Sequence, residues 1–525
     1  MAQVFTAAQA RASDAWVMNT LGLPGLVMME NAGLAVVYAI RHTLAARPLA
    51  LADADVVVVC GAGQNGGDGF VIARHLALGG AKVRVVTALP AAKIRGDAER
   101  NLQVLRGLSH VPVRDAGHEL DRQVWQDLLG QPDVIVDAVF GTGLNADVQG
   151  APAAAIAAMN ACQALRVSVD VPSGLDADSG RQRGVAVRAD LTVTMAARKL
   201  GFCVNPDAPV GDVVVAQLGA PAFVPPEGGP VAEWLEAAFV SQLVPRFGAG
   251  SHKGSRGHLL VIAGAPGTTG AAALCGLAGL RAGAGLVTVA STRKAQNGLD
   301  AKLAEVMSAV YAEGEDADGD SFDLVVQLSR RMKAVALGPG IPTGPGTKVL
   351  VQRLARELTL PTVIDADGLN HLGTEVAFLK EAAAPRVLTP HPGEMARLLG
   401  VTTAEVQGDR VAAARALVDK SGAVVVLKGA RTLIATPLGE LFINPAATAA
   451  LGTAGSGDVL TGTLGALLAQ GLSARDAAIC GVFAHGEAAL AASERLGTDR
   501  LVAGDLPLSI AQRLSSLGGA RPHAG

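Results

Sequence analysis

Two groups of residues in this chain have types and spacing suited to chemistry. The run Gly455-Ser456-Gly457-Asp458 sets small residues directly before an aspartate, and an apolar helical pattern (Val459, Leu460, Leu464, Leu467, Leu468) follows at once. Backbone N–H groups at glycines approach an anion closely because no Cβ intrudes. The helix they open adds its positive N-terminal end. Asp458 then sits in the first turn, facing whatever the turn holds, although a capping aspartate in an ordinary loop has the same pattern. In the first half, Asn65, Asp68, Asp137, Asp170 and Ser173 each stand at or just after an apolar run. All carry oxygen, which suits a hard cation rather than zinc. One aspartate alone caps a turn as readily as it does chemistry; five such residues on one rim are harder to explain that way.

These residues need elements to position them. Residues 56–60 are a continuous apolar run, followed by glycines 61, 63, 66, 67 and 69, a helix from Phe70 to about Leu78, and a second strand over 82–87. Strand, glycine turn, helix and strand form a βαβ unit and imply a parallel sheet. Gly61, Gly63 and Gly66 satisfy G-x-G-x-x-G, yet the following strand ends Thr87-Ala88-Leu89-Pro90, without the acidic residue that holds a ribose. A conventional NAD dehydrogenase is therefore disfavoured. Strands over 133–137 and 166–170 also end in polar glycine turns, and in open parallel sheets ligands sit beyond the carboxyl ends. Lys199, at the end of a later strand, reads as a solvated lysine.

The second half opens with a strand at 258–263, a glycine loop at 264–270 and a helix over 271–281. Later strands end at Gly338-Pro-Gly340, Asp365-Ala-Asp367, His391 to Glu394, and Lys428-Gly429. Lys428 is placed to meet a phosphate, and Asp365, Asp367 and Glu394 to hold Mg²⁺ directly or through water. His391, flanked by prolines, is either a ligand contact or a structural histidine.

Composition narrows the field. A length of 525 residues implies two or three domains. A net charge of −3 gives no basic footprint, and aromatics at 3% leave little to stack on bases, so nucleic acid is not the expected partner. Five scattered cysteines without a CxxC pair fit a reducing compartment. The N-terminus lacks a signal-peptide pattern, and no run reaches the ~20 apolar residues that a bilayer crossing needs. A cytoplasmic location, with no membrane contact, is expected. The Pro- and Gly-rich stretch between Gly219 and Ala232 reads as a linker. The expected division is 1–220, a linker at 221–235, a second domain at 236–515 and a flexible tail at 516–525.

The motifs of the first half, Gly-Gln64-Asn65-Gly66-Gly67-Asp68-Gly, Val-Asp137-Ala-Val-Phe-Gly141-Thr-Gly143 and Asp170-Val-Pro-Ser173-Gly-Leu-Asp, resemble in order those of NAD(P)H-hydrate epimerase domains. The resemblance implies a Rossmann-like fold and interconversion of the R and S epimers of NAD(P)H hydrate. It implies a potassium ion on Asn65, Asp137 and Ser173. It also implies a substrate site formed by Gln64, Asn65, Gly66, Gly67, Asp68, Gly141, Thr142, Gly143, Leu144, Asn145, Ala146, Asp147 and Asp170. Inversion passes through an iminium-like species, and Asp170 is the candidate catalytic carboxylate that stabilises the cation and handles the proton. In the second half, Lys253-Gly-Ser-Arg-Gly-His, Gly338-Pro-Gly, Asp365-Ala-Asp, Thr389-Pro-His-Pro-Gly-Glu, Leu427-Lys-Gly and Gly455-Ser-Gly-Asp resemble ADP-dependent NAD(P)H-hydrate dehydratases, which are ribokinase-like. That resemblance implies ADP as co-substrate with Mg²⁺. Ala272, Gly338 (or Gly340), His391 and Asp458 would line the hydrate site. Lys428, Gly429, Ala430, Arg431, Thr432 and Gly457 would contact the nucleotide, and Asp458 would act as catalytic base. The match departs at 446–448, where Ala-Ala-Thr replaces a Thr-Gly-Asn run, and at Ala454 and Ser456.

The chain as a whole is similar to the fused, bifunctional NAD(P)H-hydrate repair enzymes. Metabolite repair acting on the NADH and NADPH hydrates is thus the leading reading, with assembly as a homo-oligomer implied. The rival is a ribokinase-like kinase of an alcohol or vitamin precursor, fused to a nucleotide-binding domain. The glycine loop before Asp458 is common to both; the epimerase-like first half favours repair.

Overall fold

The computed structural model describes residues 1–222 and 229–519. Residues 223–228 of the expected linker, and 520–525 of the expected tail, lie outside the described residues. The chain separates into two compact units, Ala2–Ala232 and Glu233–Gly525. Among the described residues the last helix runs over Leu506–Leu517.

The first unit contains β1 (Ala2–Phe5), β2 (Asp55–Cys60), β3 (Lys82–Thr87), β4 (Val113–Asp115), β5 (Val134–Ala138), β6 (Leu165–Val169), β7 (Leu191–Met195), β8 (Arg198–Lys199) and β9 (Asp212–Ala216). Its seven-stranded sheet has the order β4-β3-β2-β5-β6-β7-β9, with every pair parallel. This is the order of a Rossmann-like sheet, third-second-first-fourth-fifth-sixth counted from β2, and it switches direction between β2 and β5. Strands buried on both faces read as unbroken apolar runs, as residues 56–60 do. Val56 and Val58 pack into one layer with Ile40, Phe70 and Leu76. Val57 and Val59 face the opposite layer with Trp125, Ile156 and Met159. The short strand β1 pairs in parallel with β8.

The second unit is built on β10 (Ala232–Trp234), β11 (His258–Ile262), β12 (Leu286–Thr292), β13 (Met307–Ala312), β14 (Ala334–Leu337), β15 (Thr362–Ile364), β16 (Arg386–Leu388), β17 (Val424–Leu427), β18 (Leu433–Ala435) and β19 (Leu441–Ile443). These run β13-β12-β11-β14-β15-β16-β17-β18-β19-β10. The sheet is parallel from β13 to β17; β18 runs antiparallel to both neighbours, and β10 is parallel to β19. Counted from β11, this repeats the third-second-first-fourth order, with its switch between β11 and β14. Two helices on one face, Thr269–Arg281 and Ser456–Ala469, touch backbone to backbone. A Cβ on Gly462 would lie 2.0 Å from the Cys275 carbonyl oxygen, so only glycine permits this approach.

All five cysteines are buried free thiols. Among the described residues, no helix is long and apolar enough to cross a membrane.

Candidate active sites

Both sites form at the carboxyl ends of parallel strands, beside the change in strand order where an open sheet leaves a crevice. In the first unit a cavity of about 540 Å³ opens there. Of the residues expected to bind substrate, Gln64, Asn65, Asp68, Gly141, Thr142, Gly143 and Leu144 line it, together with Asp170. Asn145 lines a neighbouring cavity of about 430 Å³ that shares the 141–144 wall, while Ala146 and Asp147 line neither. The stretch 64–69, read from sequence as loop, is the first part of a helix, Gln64–Leu78, with Gly63 at its N-cap. Gly66 and Gly67 do not line the cavity; they serve packing. A Cβ on Gly66 would lie 2.1 Å from the Gly61 carbonyl oxygen, and one on Gly67 would lie 2.6 Å from Met29.

Asp170 sits in the left-handed region, at φ +63°. Its Oδ1 accepts from Lys199 Nζ at 2.7 Å, the Met195 N–H at 3.1 Å and Thr194 Oγ1 at 3.3 Å. Lys199 corrects its sequence reading: it is 1% exposed, and it also donates to Thr194 Oγ1, Met195 O and Ala197 O. The tight link between β7 and β8, with Ala196 at φ +61°, folds these carbonyls around the ammonium. An ammonium with no solvent must be surrounded by acceptors, and it is.

Asp137 and Ser173 lie beneath the rim, fully buried and bonded to each other. Asp137 Oδ2 accepts from the Ser173 N–H and Ser168 Oγ, both at 2.8 Å, and Oδ1 accepts from Ser173 Oγ at 2.5 Å. Burial still raises the Asp137 pKa, outweighing the bonds from Ser173 and Ser168. Among the described ion pairs it has no cationic partner. Burial also pushes Asp68 far above the usual carboxylate range, with Asp170 and Asp14 adding to it. Asp14, which the sequence reading missed, lines the same cavity, and its pKa is raised to about 6, by burial first and Asp170 second. Its signal lay in the helical spacing of Arg11, Asp14 and Met18, all three on the cavity wall.

In the second unit, Gly455 takes φ +91° and opens the helix Ser456–Ala469, with Asp458 in its first turn, as the sequence implied. Burial raises Asp458 to about 7; Asp365, Asp367 and Glu394 push the same way and Lys428 opposes them. Lys428 Nζ donates to Asp365 Oδ1 at 2.6 Å and lies 3.8 Å from Glu394 Oε2. Thr461 Oγ1 donates to the other Asp365 oxygen at 2.6 Å. Asp365 is 1% exposed, with one oxygen bonded to Lys428 and the other to Thr461. Glu394 accepts from the His391 N–H at 2.8 Å and closes the cap of the helix Pro392–Leu399. Asp367 accepts from Asn370 Nδ2 at 3.1 Å. All three carboxylates thus have protein hydrogen-bond partners. Among the described residues, no group of three or more His, Cys, Asp or Glu is placed to hold a metal.

Gly457 stands over this pair: a Cβ there would be 3.3 Å from Lys428 Nζ. His391 is half exposed, and its Nδ1 accepts from the Gly393 N–H at 3.0 Å. The proton of the neutral ring is thereby left on Nε2. Gly338 follows β14 and donates its N–H to Ile262 O at 3.0 Å, while Gly340 packs against Thr268. The Ala272 side chain is fully buried in the core. Of the 428–432 segment, Gly429 and Arg431 have positive φ. Ala430 O accepts from Arg410 at 2.8 Å, Arg431 lies over the Trp234 ring, and Thr432 Oγ1 donates to Gly429 O. Sequence reading also missed buried His485, whose Nε2 lies 3.0 Å from Ser456 O and whose pKa falls to about 4, chiefly from burial. It supports the glycine turn as a neutral ring.

A family profile described as NAD(P)H-hydrate dehydratase covers residues 259–512, and one described as YjeF-related protein N-terminus covers residues 25–201. The chain is 40% identical over 504 residues to the bifunctional NAD(P)H-hydrate repair enzyme of Moorella thermoacetica, covering 95% of this chain and 94% of that one. It is 35% identical to the enzyme of the same description from Escherichia coli, covering 87% and 84%. A Bacillus subtilis structure described as an ADP/ATP-dependent NAD(P)H-hydrate dehydratase co-crystallised with ATP and Mg²⁺ aligns at a TM-score of 0.48 and 28% identity, covering 54% of this chain and 97% of its own. Near-complete coverage at this identity, spanning both units, means that the chain belongs to the bifunctional NAD(P)H-hydrate repair enzyme family.

Proposed function

We propose that the first unit equilibrates the R and S epimers of NADH and NADPH hydrate. The second unit removes water from the S epimer using ADP, releasing NAD(P)H, AMP and phosphate. The observation that carries the reading is Asp458: a carboxylate raised to about 7 in the first turn of a helix, directly after Gly455-Ser456-Gly457. A base of that pKa is matched to a hydroxyl at neutral pH. It takes the proton as the hydrate's oxygen attacks the terminal phosphorus of ADP, while backbone N–H groups and Lys428 offset the phosphate charge. The phosphorylated oxygen then leaves as phosphate, the ring nitrogen's lone pair forms an iminium, and loss of a neighbouring C–H proton gives the dihydronicotinamide.

Mg²⁺ typically binds through one or two carboxylates plus substrate phosphates, and here it would arrive on the nucleotide rather than in a prebuilt cage. Lys428, Gly429, Ala430, Arg431, Thr432 and Gly457 are assigned to the nucleotide; Gly338, His391 and Asp458, with the backbone at Ala272, are assigned to the hydrate. In the first unit, Asp170 held against Lys199 stabilises the cation formed when the hydroxyl leaves. Asn65, Asp137 and Ser173 fit a potassium ion: the donors are oxygens, and the ion would supply the countercharge that buried Asp137 lacks. Its chemistry would be electrostatic only. A cytoplasmic location and a homo-oligomeric assembly complete the reading.

The test is to incubate the protein with NADH hydrate and ADP and follow the return of reduced-nicotinamide absorbance. Conversion of both epimers supports the assignment. Recovery of the S form alone removes the epimerase half, and no recovery removes the whole.

A further inference from the structure

Epimerisation at the carbon beside a ring nitrogen needs two different services. The positive charge that appears when the hydroxyl departs must be stabilised, and the departing oxygen must receive a proton. One carboxylate does both poorly, because the first role needs the ionised form and the second the protonated form. In the first unit these roles have separate candidates. Three donors, including the Lys199 ammonium, bind a single Asp170 oxygen and fix that carboxylate in place. Asp14 stands on a different element, the helix Ala7–Asn19. It shares the 540 Å³ cavity with Asp68 and Asp170, and among the described residues no protein donor is bonded to its carboxyl.

That helix is held firmly. A capping box between Thr6 and Gln9 closes its N-terminus. The Ala7 N–H donates to Asp178 Oδ1 at 2.6 Å, and Arg11 Nη1 donates to Thr142 O at 3.0 Å, tying the helix to the cavity wall one turn before Asp14. A half-buried carboxyl without a protein partner, held on a fixed helix facing the substrate cavity, has its hydrogen-bonding capacity left for the substrate.

We propose that Asp14 is the acid that delivers the proton to the hydrate's departing hydroxyl during epimerisation. This rests on the epimerase reading of the first unit. The carboxyl proton of Asp14 moves to the hydroxyl oxygen as the C–O bond breaks, so the oxygen leaves as water. The ring nitrogen's lone pair closes the C=N bond of the iminium. A water then adds to the other face of the same carbon, the C=N pair returns to nitrogen, and the added water gives one proton to a cavity carboxylate. Exchange with solvent restores the starting protonation, and no other reactant is consumed. The charges acting on Asp14 agree: burial and the neighbouring Asp170 raise its pKa to about 6, and Lys199 pulls the other way. Asp68, Arg11 and Asp97 also border the cavity. Burial raises Asp68 as well, with Asp170 and Asp14 adding to it.

The experiment measures epimer exchange in the full chain, starting from purified R hydrate without ADP, as a function of pH. Wild type should lose kcat/KM as pH rises past about 6. Asp14→Asn should lower kcat about 100-fold or more, leave KM within a few-fold and abolish that pH limb. Asp14→Glu should restore part of the rate with a shifted limb. Dehydration of the S hydrate by the same Asp14→Asn preparation should match wild type, which establishes that it is folded. An Asp14→Asn protein that epimerises within threefold of wild type, or that keeps the pH limb, overturns the proposal. Failure of wild type to exchange the epimers overturns the epimerase reading instead.

Discussion

The two units use the same sheet order and different arrangements of one lysine and its carboxylates. In the first, Lys199 bonds directly to Asp170, the carboxylate that faces the cavity. In the second, Lys428 bonds to Asp365, a carboxylate behind the site, and among the described residues Asp458, on a helix N-terminus, has no hydrogen-bond partner. Burial first, then Asp365, raises the Asp458 pKa to about 7. A shared frame thus supplies a rim, and the lysine is bonded to the rim aspartate in the first unit and to a carboxylate behind it in the second. Stabilising a cation calls for the first; activating a hydroxyl calls for the second.

Four measurements would break or sharpen this contrast. The largest effect is expected from Asp458→Ala, which should lower dehydration by about 10²–10⁴-fold and leave epimer exchange unchanged; loss of both activities would end the division of labour. Next, Lys199→Met strands a carboxylate that the fold has partly buried. Denaturant unfolding of the first unit should weaken by roughly 3–5 kcal/mol, with much of the loss recovered in Lys199→Met/Asp170→Asn. No recovery in the double variant would mean that the pair is not the cause.

Gly462→Ala follows, because its Cβ would meet the Cys275 carbonyl at 2.0 Å. A loss of about 1–3 kcal/mol is expected, confined to the second unit's transition. The smallest effect is the pH response of wild-type dehydration. A base must be unprotonated, so kcat/KM should rise as pH increases through about 7 and level off above it. A flat profile across that range would remove Asp458 from the base role.

Much of this was legible in the sequence because parallel strands buried on both faces must be apolar throughout, and their chemistry must gather where they end. Residues 56–60, 334–337 and 424–427 announced themselves in this way. The misreadings fall where a contact made in the fold overrides the local sequence pattern. The glycines of 64–69 have poor helix propensity and read as loop, yet Gly66 must be glycine to pass the Gly61 carbonyl, and packing overrides propensity. Lys199 read as solvated because the carbonyls of Met195 and Ala197 turn toward it only through the positive φ of Ala196. The bond from Thr461 to Asp365 was not legible because the two stand 96 residues apart. Asp14 escaped because its helix begins far from any glycine motif. The hairpin of β18 and β19 has strands of three residues each, too short for a period to register.

The backbone contact at Gly462 has a mechanical consequence. The helices that begin near the 264–270 turn and at the 455–458 turn are clamped partway along their length, with no side chain between them to act as a bearing. Neither can slide past the other without separating the whole joint. The two glycine turns therefore move as a single lever, and any grafting of one into another scaffold must carry its partner with it.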